Sequence, residues 1–457
     1  MTPARDVKDT SPAPAAAVTS RVSSSPKVDT FANGVTSSAL PADKYAATLP
    51  DFSQSNAAVL KRHPYCANTR MHALTAVDTW LKDGSVDKSR VMLLKADAGM
   101  GKTTLMGEVC SKFRPQVVGY HFFSYNSANM NHNDLKLALL WLVRSFTRTI
   151  DTYEASLPSD RDLEQLLVCS SSTADDVINE LIRKPLKSTA FKHDPDKHAM
   201  VVLDALDECN VADRQALFEF VNTFAAHTPS WLHLCVSMRT DNQLENLLTA
   251  PVDVIELPQQ GNDNMADIKR MLKEHLGRFM DRISLDGGLT QLAKKTHGLP
   301  LCAGLYNRLL GAMDADAKIA LREIDMKFAT GLDGVLSNCL STFKKSISND
   351  RNCERKYANL LAMLAQARQP INQSFMSSAG FSDTTQTLGQ LVVLVDVLDN
   401  DMVLAHRVIA EWLLDKHALN DVQIAQDRTD VLLLLRLVEQ VRRRVLDGVV
   451  GQNRRHC

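Results

Sequence analysis

The residues best suited to chemistry lie in a short loop near residue 100. Residues 96–103 have the spacing of a phosphate-binding loop, although Ala96 stands where that pattern has its first glycine. Gly99 and Gly101 permit positive φ angles, which turn successive backbone N–H groups inward and form a nest for an anion. The apolar run 91–94 predicts a strand before the loop, and the run 104–113 predicts a helix after it. Because a helix N-terminus carries partial positive charge, this arrangement favours a bound phosphate.

A phosphate at this loop would give particular side chains a chemical task. Lys102 would reach the β- and γ-phosphates of a nucleotide, and the Thr103 hydroxyl would ligate Mg²⁺. The alternative is a glycine-rich turn with an incidental lysine, which the strand–loop–helix context disfavours. The residues expected to bind a nucleotide in this loop are Ala98, Gly99, Met100, Gly101, Lys102, Thr103 and Thr104.

A second candidate lies at residues 200–208, where an apolar run ends in acidic residues. Asp204 comes where a parallel strand delivers a carboxylate toward a neighbouring phosphate loop, so we expect it to hold Mg²⁺ together with Thr103. Asp207 and Glu208 lie just beyond, where one of them could orient or activate an attacking water. Acids at a strand end can also be solvated loop residues. The phosphate-binding pattern at 96–103 disfavours this alternative.

Five short apolar runs predict the strands that position these residues. Amphipathic stretches with helical spacing lie between them, at 135–146, 177–186 and 214–224. This alternation predicts an α/β fold, a parallel sheet with helices on both faces. The phosphate-binding pattern after the first predicted strand makes this a sheet of the P-loop NTPase kind. The runs are continuously apolar, as expected for strands that are buried on both faces. The predicted strands are 91–94, 117–123, 200–203, 232–237 and 252–257.

Beyond residue 262 the strand pattern stops and helical patterns take over. Two apolar runs, 393–398 and 402–404, flank an Asp/Asn-rich turn and predict a small hairpin. Helices followed by a hairpin are typical of a winged-helix domain. The predicted divisions are a disordered tail at 1–50, a nucleotide-binding domain at 51–260, a helical domain at 261–345, a winged-helix-like domain at 346–420 and a basic amphipathic helix at 421–457.

Composition restricts the class of protein and its compartment. The 457 residues are 45% hydrophobic and 23% charged, as in soluble globular proteins, and the net charge of −1 disfavours nucleic acid as a main partner. The first 50 residues hold six of the sixteen prolines, which favours disorder there. The sequence has no signal core and no apolar run of the ~18–20 residues that a transmembrane segment needs. The nine cysteines are scattered, so we expect reduced thiols and a cytoplasmic protein.

Several strings resemble the NACHT group of signal-transduction NTPases, which belong to the STAND class related to AAA+ proteins. Along the chain they occur in the same order as in that family. The loop resembles that of the family in GMGKTTL at 99–105, and the acidic strand end resembles its most recognisable motif in LDALDEC at 203–209. Fungal-type and ankyrin-linked members have a second strand similar to YHFF at 120–123. The helix before the acidic strand resembles theirs in NELIRKPL at 179–186. These strings cover about 60–260, and Asn68-Thr69-Arg70 is similar to the segment that precedes the loop.

The resemblance implies roles for three more residues. Arg239 matches the family's sensor motif and would contact the γ-phosphate, although Thr240 stands where the family usually has proline. Pro300 matches a proline that packs near the adenine. His406 matches a histidine that contacts the β-phosphate of ADP and holds the closed state, although Val408 replaces a small hydroxyl residue. Taken alone, the three positions are also compatible with a surface arginine, an inter-helix turn and a surface histidine.

The resemblance therefore implies an ATP/ADP-dependent signal-transduction switch with slow NTP hydrolysis and with Mg²⁺ as cofactor. Exchange of ADP for ATP would open the protein, which would then bind a protein partner or form a homo-oligomer. The alternatives are a steady-turnover, AAA+-like remodelling ATPase and a non-hydrolysing nucleotide-binding scaffold. NACHT proteins usually continue into repeats, so we expect a short member, a truncated one or a fragment. The residues expected to carry hydrolysis are Lys102, Asp204, Asp207, Glu208 and Arg239.

Overall fold

The computed structural model describes residues 48–83, 89–124, 131–159, 162–163, 166, 173–187, 198–347, 360–367, 370–372, 393–398 and 401–415. The predicted tail at 1–50 lies outside the described residues except for its last three positions, and so does the whole of the predicted basic helix at 421–457.

A five-stranded sheet lies at the centre of the N-terminal half of the described chain. Its strands are β1 (Val91–Ala96), β2 (Val117–Phe122), β3 (Ala199–Asp204), β4 (Leu232–Arg239) and β5 (Asp253–Glu256). Their order is β2-β3-β4-β1-β5, and every pairing is parallel. All five strands lie where the sequence predicts them, which confirms the α/β fold with the sheet of a P-loop NTPase.

Helices flank this sheet and continue beyond it. Asp134 caps one of them, because its carboxylate accepts the Leu137 N–H at 2.9 Å. The helical segment predicted at 177–186 is present, and its first part, Val177–Arg183, is π-helical. The longer helices are α1 (Ser53–Arg62), α2 (Met71–Lys82), α3 (Lys102–Lys112), α4 (Leu135–Thr149), α5 (Arg214–His227), α6 (Asn262–Leu276), α7 (Leu285–Lys295), α8 (Pro300–Gly311), α9 (Gly331–Ile347) and α10 (Arg407–Leu414).

The predicted hairpin forms part of a second, smaller sheet. Its strands β7 (Val395–Leu398) and β8 (Asp401–Leu404) pair antiparallel, while the turn at 399–400 lies outside the described residues. A short strand that the sequence does not predict, β6 (Ile371–Asn372), pairs with the other edge of β8.

Two apolar clusters form the interior. The first joins the large sheet to α4, α5 and the helical segment at 174–187. Every residue of β3 is buried, which explains its continuous apolar run. The second cluster joins α6–α9, the helix at 360–366, the small sheet and α10. The small sheet and α10 therefore share their interior with the helical region.

Two further properties of the described residues are their lack of a membrane-spanning helix and the state of their cysteines. Within the part of the chain that the structure describes, no helix is both long and apolar enough to span a bilayer. The six cysteines that it describes are free thiols. Burial raises the pKa of Cys235 and of Cys302 to about 12, so both remain protonated and unreactive near neutral pH.

Candidate functional site

A cleft lies at the carboxyl end of the large sheet. Strand register places Ala96, the last residue of β1, beside Arg239, the last residue of β4, and β3 ends next to them at Asp204. The loop from β1 to α3 therefore faces the acidic end of β3. Part of the wall comes from the end of β8 and the start of α10, through Leu404, Ala405, His406 and Arg407.

The loop has the backbone shape of an anion nest. Gly99 and Gly101 have φ angles of 80° and 86°, a region that residues with a Cβ rarely adopt. Helix α3 begins directly after Gly101, so its first N–H groups point out of the helix at the same place. This geometry fits a bound phosphate, as the sequence pattern predicts.

Lys102 lies beneath this nest with its ammonium close to the loop backbone. Its Nζ donates to the carbonyls of Ala96 at 2.7 Å and Asp97 at 3.1 Å. An ammonium has three donors, so two hold the loop and one is left for an anion. Burial lowers the pKa of Lys102, and the negative charges of Asp207 and Asp204 oppose that effect. A phosphate would add a further negative charge that stabilises the ammonium.

Asp204 lies just beneath the cleft surface and is 1% exposed. The Ser237 hydroxyl donates to its Oδ1 at 2.5 Å and accepts the Ala205 N–H at 2.9 Å. Burial raises the pKa of Asp204 to about 6, although hydrogen bonds from Ser237 and Thr103 and the charge of Lys102 lower it. Thr103 is thus near the carboxylate, yet Oδ2 has no partner with hydrogen-bond geometry among the described residues.

A buried carboxylate oxygen without a partner costs free energy, so its retention requires an explanation. Mg²⁺ prefers carboxylate, hydroxyl, phosphate and water oxygens. The orphaned Oδ2 of Asp204, beside Thr103 and the phosphate nest, therefore fits Mg²⁺ held with a nucleotide.

Asp207 and Arg239 form an ion pair at the mouth of the cleft. The Asp207 carboxylate accepts the Arg239 backbone N–H at 3.1 Å, and its Oδ2 lies 3.2 Å from Arg239 Nε. The other end of the same guanidinium, Nη1, lies 2.8 and 3.1 Å from the two carboxylate oxygens of Glu411 on α10. Arg239 is therefore shared between an acid of the large sheet and an acid of the C-terminal helix.

Arg407, at the start of α10, completes this network. Its Nη1 lies 3.5 Å from Glu208 Oε1 and 3.9 Å from Asp207 Oδ2, and its Nε lies 3.1 Å from Glu411 Oε1. Burial alone would lower the pKa of Arg407, but these three acids together raise it. We call residues 404–411 the closing segment, because they cover the cleft and join its charged groups.

His406 lies in the closing segment and faces the loop. Its ring is 6.2 Å from that of His63 in an edge-to-face arrangement, and its Nδ1 accepts the Val408 N–H at 3.1 Å. Burial lowers the pKa of His406, and the neighbouring His63, Arg239, Lys102 and Arg407 lower it further. The ring is therefore neutral at pH 7.

Pro300 begins α8 on another side of the loop. The next residue, Leu301, donates its N–H to the Gly99 carbonyl at 3.1 Å, and its side chain would lie 3.1–3.2 Å from a Cβ at Gly99. The motif that contains Pro300 thus packs directly on the loop, although Pro300 itself does not line the cleft.

The structure brings most of the predicted site residues together. Met100 and Asp204 are buried just beneath the cleft surface. Sequence reasoning missed Ser237, Arg407 and Glu411, although the spacing of four between the last two could have suggested an ion pair on one helix face. The predicted residues that line the cleft are Ala98, Gly99, Gly101, Lys102, Thr103, Thr104, Asp207, Glu208, Arg239 and His406.

Comparison with known proteins gives one family match. The family described as "Nephrocystin 3, N-terminal" matches residues 71–239, which is less than half of the chain. The matched range begins with α2 and ends at Arg239, so it includes the loop and the acidic strand end. No curated protein matches significantly.

Three solved structures align over much of the chain at low similarity. The Walker-type ATPase PABY2304 of Pyrococcus abyssi has 11% identity and a TM-score of 0.38, and the match covers 78% of this chain and 99% of that one. Cdc6p from Pyrobaculum aerophilum has 13% identity and a TM-score of 0.36, with 78% and 96% covered. The Thermotoga maritima RuvB Holliday junction branch migration motor has 14% identity and a TM-score of 0.31, with 75% and 93% covered.

We predict that Ser237→Ala weakens Mg²⁺ binding at Asp204. The substitution leaves Asp204 Oδ1 and the Ala205 N–H without their shared partner, so the carboxylate is no longer held in one orientation. Groups that orient a metal ligand typically contribute 10–100-fold in metal affinity, so the Mg²⁺ midpoint for nucleotide binding should rise by at least about tenfold. A Mg²⁺ titration of nucleotide binding measures it.

The matched control is Ser341→Ala, which removes an exposed hydroxyl that bonds only to its own helix backbone. An unchanged Mg²⁺ midpoint in Ser237→Ala would show that Asp204 needs no such support.

The order of the parallel sheet, the two left-handed glycines and the buried lysine identify residues 91–256 as a P-loop NTPase fold.

Proposed function

We propose that this chain is an ATP/ADP-dependent switch of the NACHT type, with slow hydrolysis. One observation supports the proposal above the others: the closing segment covers the phosphate cleft and pairs with Asp207, Glu208 and Arg239. The family resemblance gives Arg239 a role in contacting the γ-phosphate, and the position of Asp207 and Glu208 after the acidic strand end suits them to orient the attacking water. The described arrangement would then be the closed form, in which those groups are occupied by α10.

In this proposal different residues of the cleft bind the phosphates, hold the metal, orient the attacking water and contact the γ-phosphate. Backbone N–H groups of the loop and Lys102 bind the phosphates, and Thr103 and Asp204 hold Mg²⁺. The metal, when bound, would neutralise charge on the phosphate oxygens. After opening, Asp207 or Glu208 orients the attacking water and Arg239 contacts the γ-phosphate. His406 would contact the β-phosphate only in the closed form.

Competition for Arg239 explains how nucleotide identity could set the conformation. The Glu411 carboxylate and a γ-phosphate are both anions that suit the same guanidinium. ADP lacks the γ-phosphate and so leaves Arg239 to Glu411, whereas ATP competes with it. A ligand shifts a conformational equilibrium only through its differential affinity for the two states, and this competition is such a difference.

The free energies of these ion pairs are too small to set the conformation by themselves. Glu411 is 44% exposed at its side chain, and an ion pair at such a site contributes only about 0–1 kcal/mol. Conversion of a two-state equilibrium from 1:99 to 99:1 needs roughly 5.5 kcal/mol. The ion pairs of the closing segment therefore bias the equilibrium, and the nucleotide must supply the larger part.

The remaining predictions from the sequence belong to this proposal as well. The switch would have a helical domain at 261–345 and a winged-helix-like domain at 346–420, and it would act in the cytoplasm. Its ATP-bound form would engage a protein partner or a second copy. The part that leaves the cleft is the closing segment with the small sheet, which shares its interior with the helical region.

We predict that the purified protein carries ADP and that Lys102→Ala does not. Removal of the ammonium takes away the charge that binds the phosphates and the group that holds two loop carbonyls. Denaturation followed by chromatography of the supernatant measures the nucleotide. Lys112→Ala, at the exposed end of the same helix, is the control and should retain ADP. Equal nucleotide content in wild type and Lys102→Ala would remove the loop from the mechanism.

We predict that Glu411→Gln speeds the release of ADP. The substitution keeps the size of the side chain but removes the charge that Arg239 and Arg407 share. The loss of about 1 kcal/mol corresponds to roughly fivefold faster exchange of a fluorescent ADP, with more of the assembled form after addition of ATP.

The control for Glu411→Gln is Glu274→Gln, which removes an ion pair of 2.8 Å to Arg278 at the C-terminal end of α6. A release rate equal to that of wild type in Glu411→Gln, or fast steady turnover of ATP by the wild type, would contradict the switch.

We predict that mild acid opens the closed form. In the closed form the pKa of His406 is lowered from 6.5, whereas an open form that exposes the ring has an ordinary value. As the pH falls below about 6.5, only the open form takes up the proton, so the closed form loses stability. Burial also lowers the pKa of the facing His63, to about 4, which adds to the effect in the same direction.

ADP release measured at pH 7.5 and at pH 5.5 tests this dependence. Release should be faster at pH 5.5 in the wild type and less pH-dependent in His406→Gln. An identical pH profile in both proteins would show that His406 does not titrate with opening.

A further inference from the structure

Arg70 connects the phosphate-binding loop to the helical region. It is 7% exposed and adopts a left-handed conformation, with φ of 51°, at the start of α2. Only a small fraction of non-glycine residues have positive φ, and they need surroundings that hold them there. Two contacts do so. The Arg70 guanidinium donates to the Met100 carbonyl at 3.1 Å, and the Arg70 backbone N–H donates to Asp267 Oδ2 at 2.9 Å.

The contact with Met100 bears on the loop that would bind phosphate. Because a trans peptide is planar, its C=O and the following N–H point in opposite directions. When Arg70 holds the Met100 carbonyl outside the nest, the Gly101 N–H turns the other way, toward the nest. The preceding carbonyl, that of Gly99, is held in a similar manner by the Leu301 N–H at 3.1 Å.

Both supports lead to helix α6. Asp267 lies on α6, and its second oxygen accepts Arg270 Nη1, which also donates to the Asn68 carbonyl. One turn earlier, the Asn264 amide donates to the Gly298 carbonyl at 2.7 Å, at the turn that leads into Pro300 and Leu301. The first turns of α6 therefore anchor both segments that grip the loop.

We infer that Arg70 is a positioning residue for the phosphate-binding loop and that Asp267 is the group through which the helical region controls it. Arg70 touches the loop but does not line the cleft. A rotation of α6 that withdrew Asp267 would release the Arg70 backbone from its left-handed conformation and free the Met100 carbonyl. The loop would then be less preorganised for phosphate, so movement of the helical region and nucleotide affinity are coupled. This inference rests on the proposed function, because it presumes a nucleotide at the loop.

A double-mutant cycle on the full-length chain tests the inference. Arg70→Met removes the donor to Met100, and Asp267→Ala removes the acceptor that holds Arg70. Each should weaken the affinity for a fluorescent ADP by about tenfold, which is the effect of one charge-assisted hydrogen bond. Because both substitutions act through one chain of contacts, the double variant should bind ADP about as tightly as the single variant that has the lower affinity.

Conservative variants separate positioning from general stability. Asp267→Asn keeps an oxygen that accepts the Arg70 N–H and should retain the wild-type affinity within about threefold. Arg70→Lys keeps a cationic donor and should bind more tightly than Arg70→Met. Arg278→Met removes an exposed arginine from the C-terminal end of the same region and should have no effect on affinity.

Different results would contradict the inference and the proposed function. Wild-type ADP affinity in folded Arg70→Met or Asp267→Ala, or fully additive losses in the double variant, would overturn the inference while leaving the switch intact. If a methionine or alanine variant does not fold, an affinity loss in Asp267→Asn well beyond about threefold, at unchanged melting temperature, would overturn it as well. Failure of the wild type to bind ADP would instead contradict the proposed function.

Discussion

The position of one guanidinium, that of Arg239, determines how the rest of this structure can work. Its Nε faces Asp207 at the end of the large sheet, and its Nη1 faces Glu411 on the C-terminal helix. Since Arg239 ends the strand that pairs with β1, it is held within reach of the loop whatever the C-terminal helix does. In the proposed switch, an anion that reaches Arg239 competes with Glu411 for this guanidinium.

The supports of the loop and of the closing segment converge on the helical region. Helix α6 holds the segments that grip the loop, through Asn264 and Asp267. The small sheet is tied to α8 by an ion pair of 2.7 Å between Arg308 and Asp396. Helix α10 is tied to α9 by a hydrogen bond of 2.7 Å from Trp412 to Asp333. A movement of the helical region would thus reach the phosphate site from two sides.

The sequence predicted those features that depend on neighbours in the chain. The strands that carry Ala96, Asp204 and Arg239 are apolar because both of their faces are buried, and glycines mark the nest because it needs positive φ. The contacts that close the site could not be predicted in the same way. Arg239 and Glu411 are 172 positions apart, and Arg70 and Asp267 are 197 apart. Such pairs follow from packing of distant elements. The left-handed conformation of Arg70 could not be predicted either, because the residue at that position is not glycine.

The central claim is that the closing segment leaves the nucleotide cleft when ATP replaces ADP. The most direct measurement is the distance between fluorescent labels at Glu219, on α5, and Asp415, just after α10, both of which are exposed. With ADP we expect one short distance. With a non-hydrolysable ATP analogue we expect a second, longer distance that grows at the expense of the first. The same single distance with both nucleotides would contradict the account.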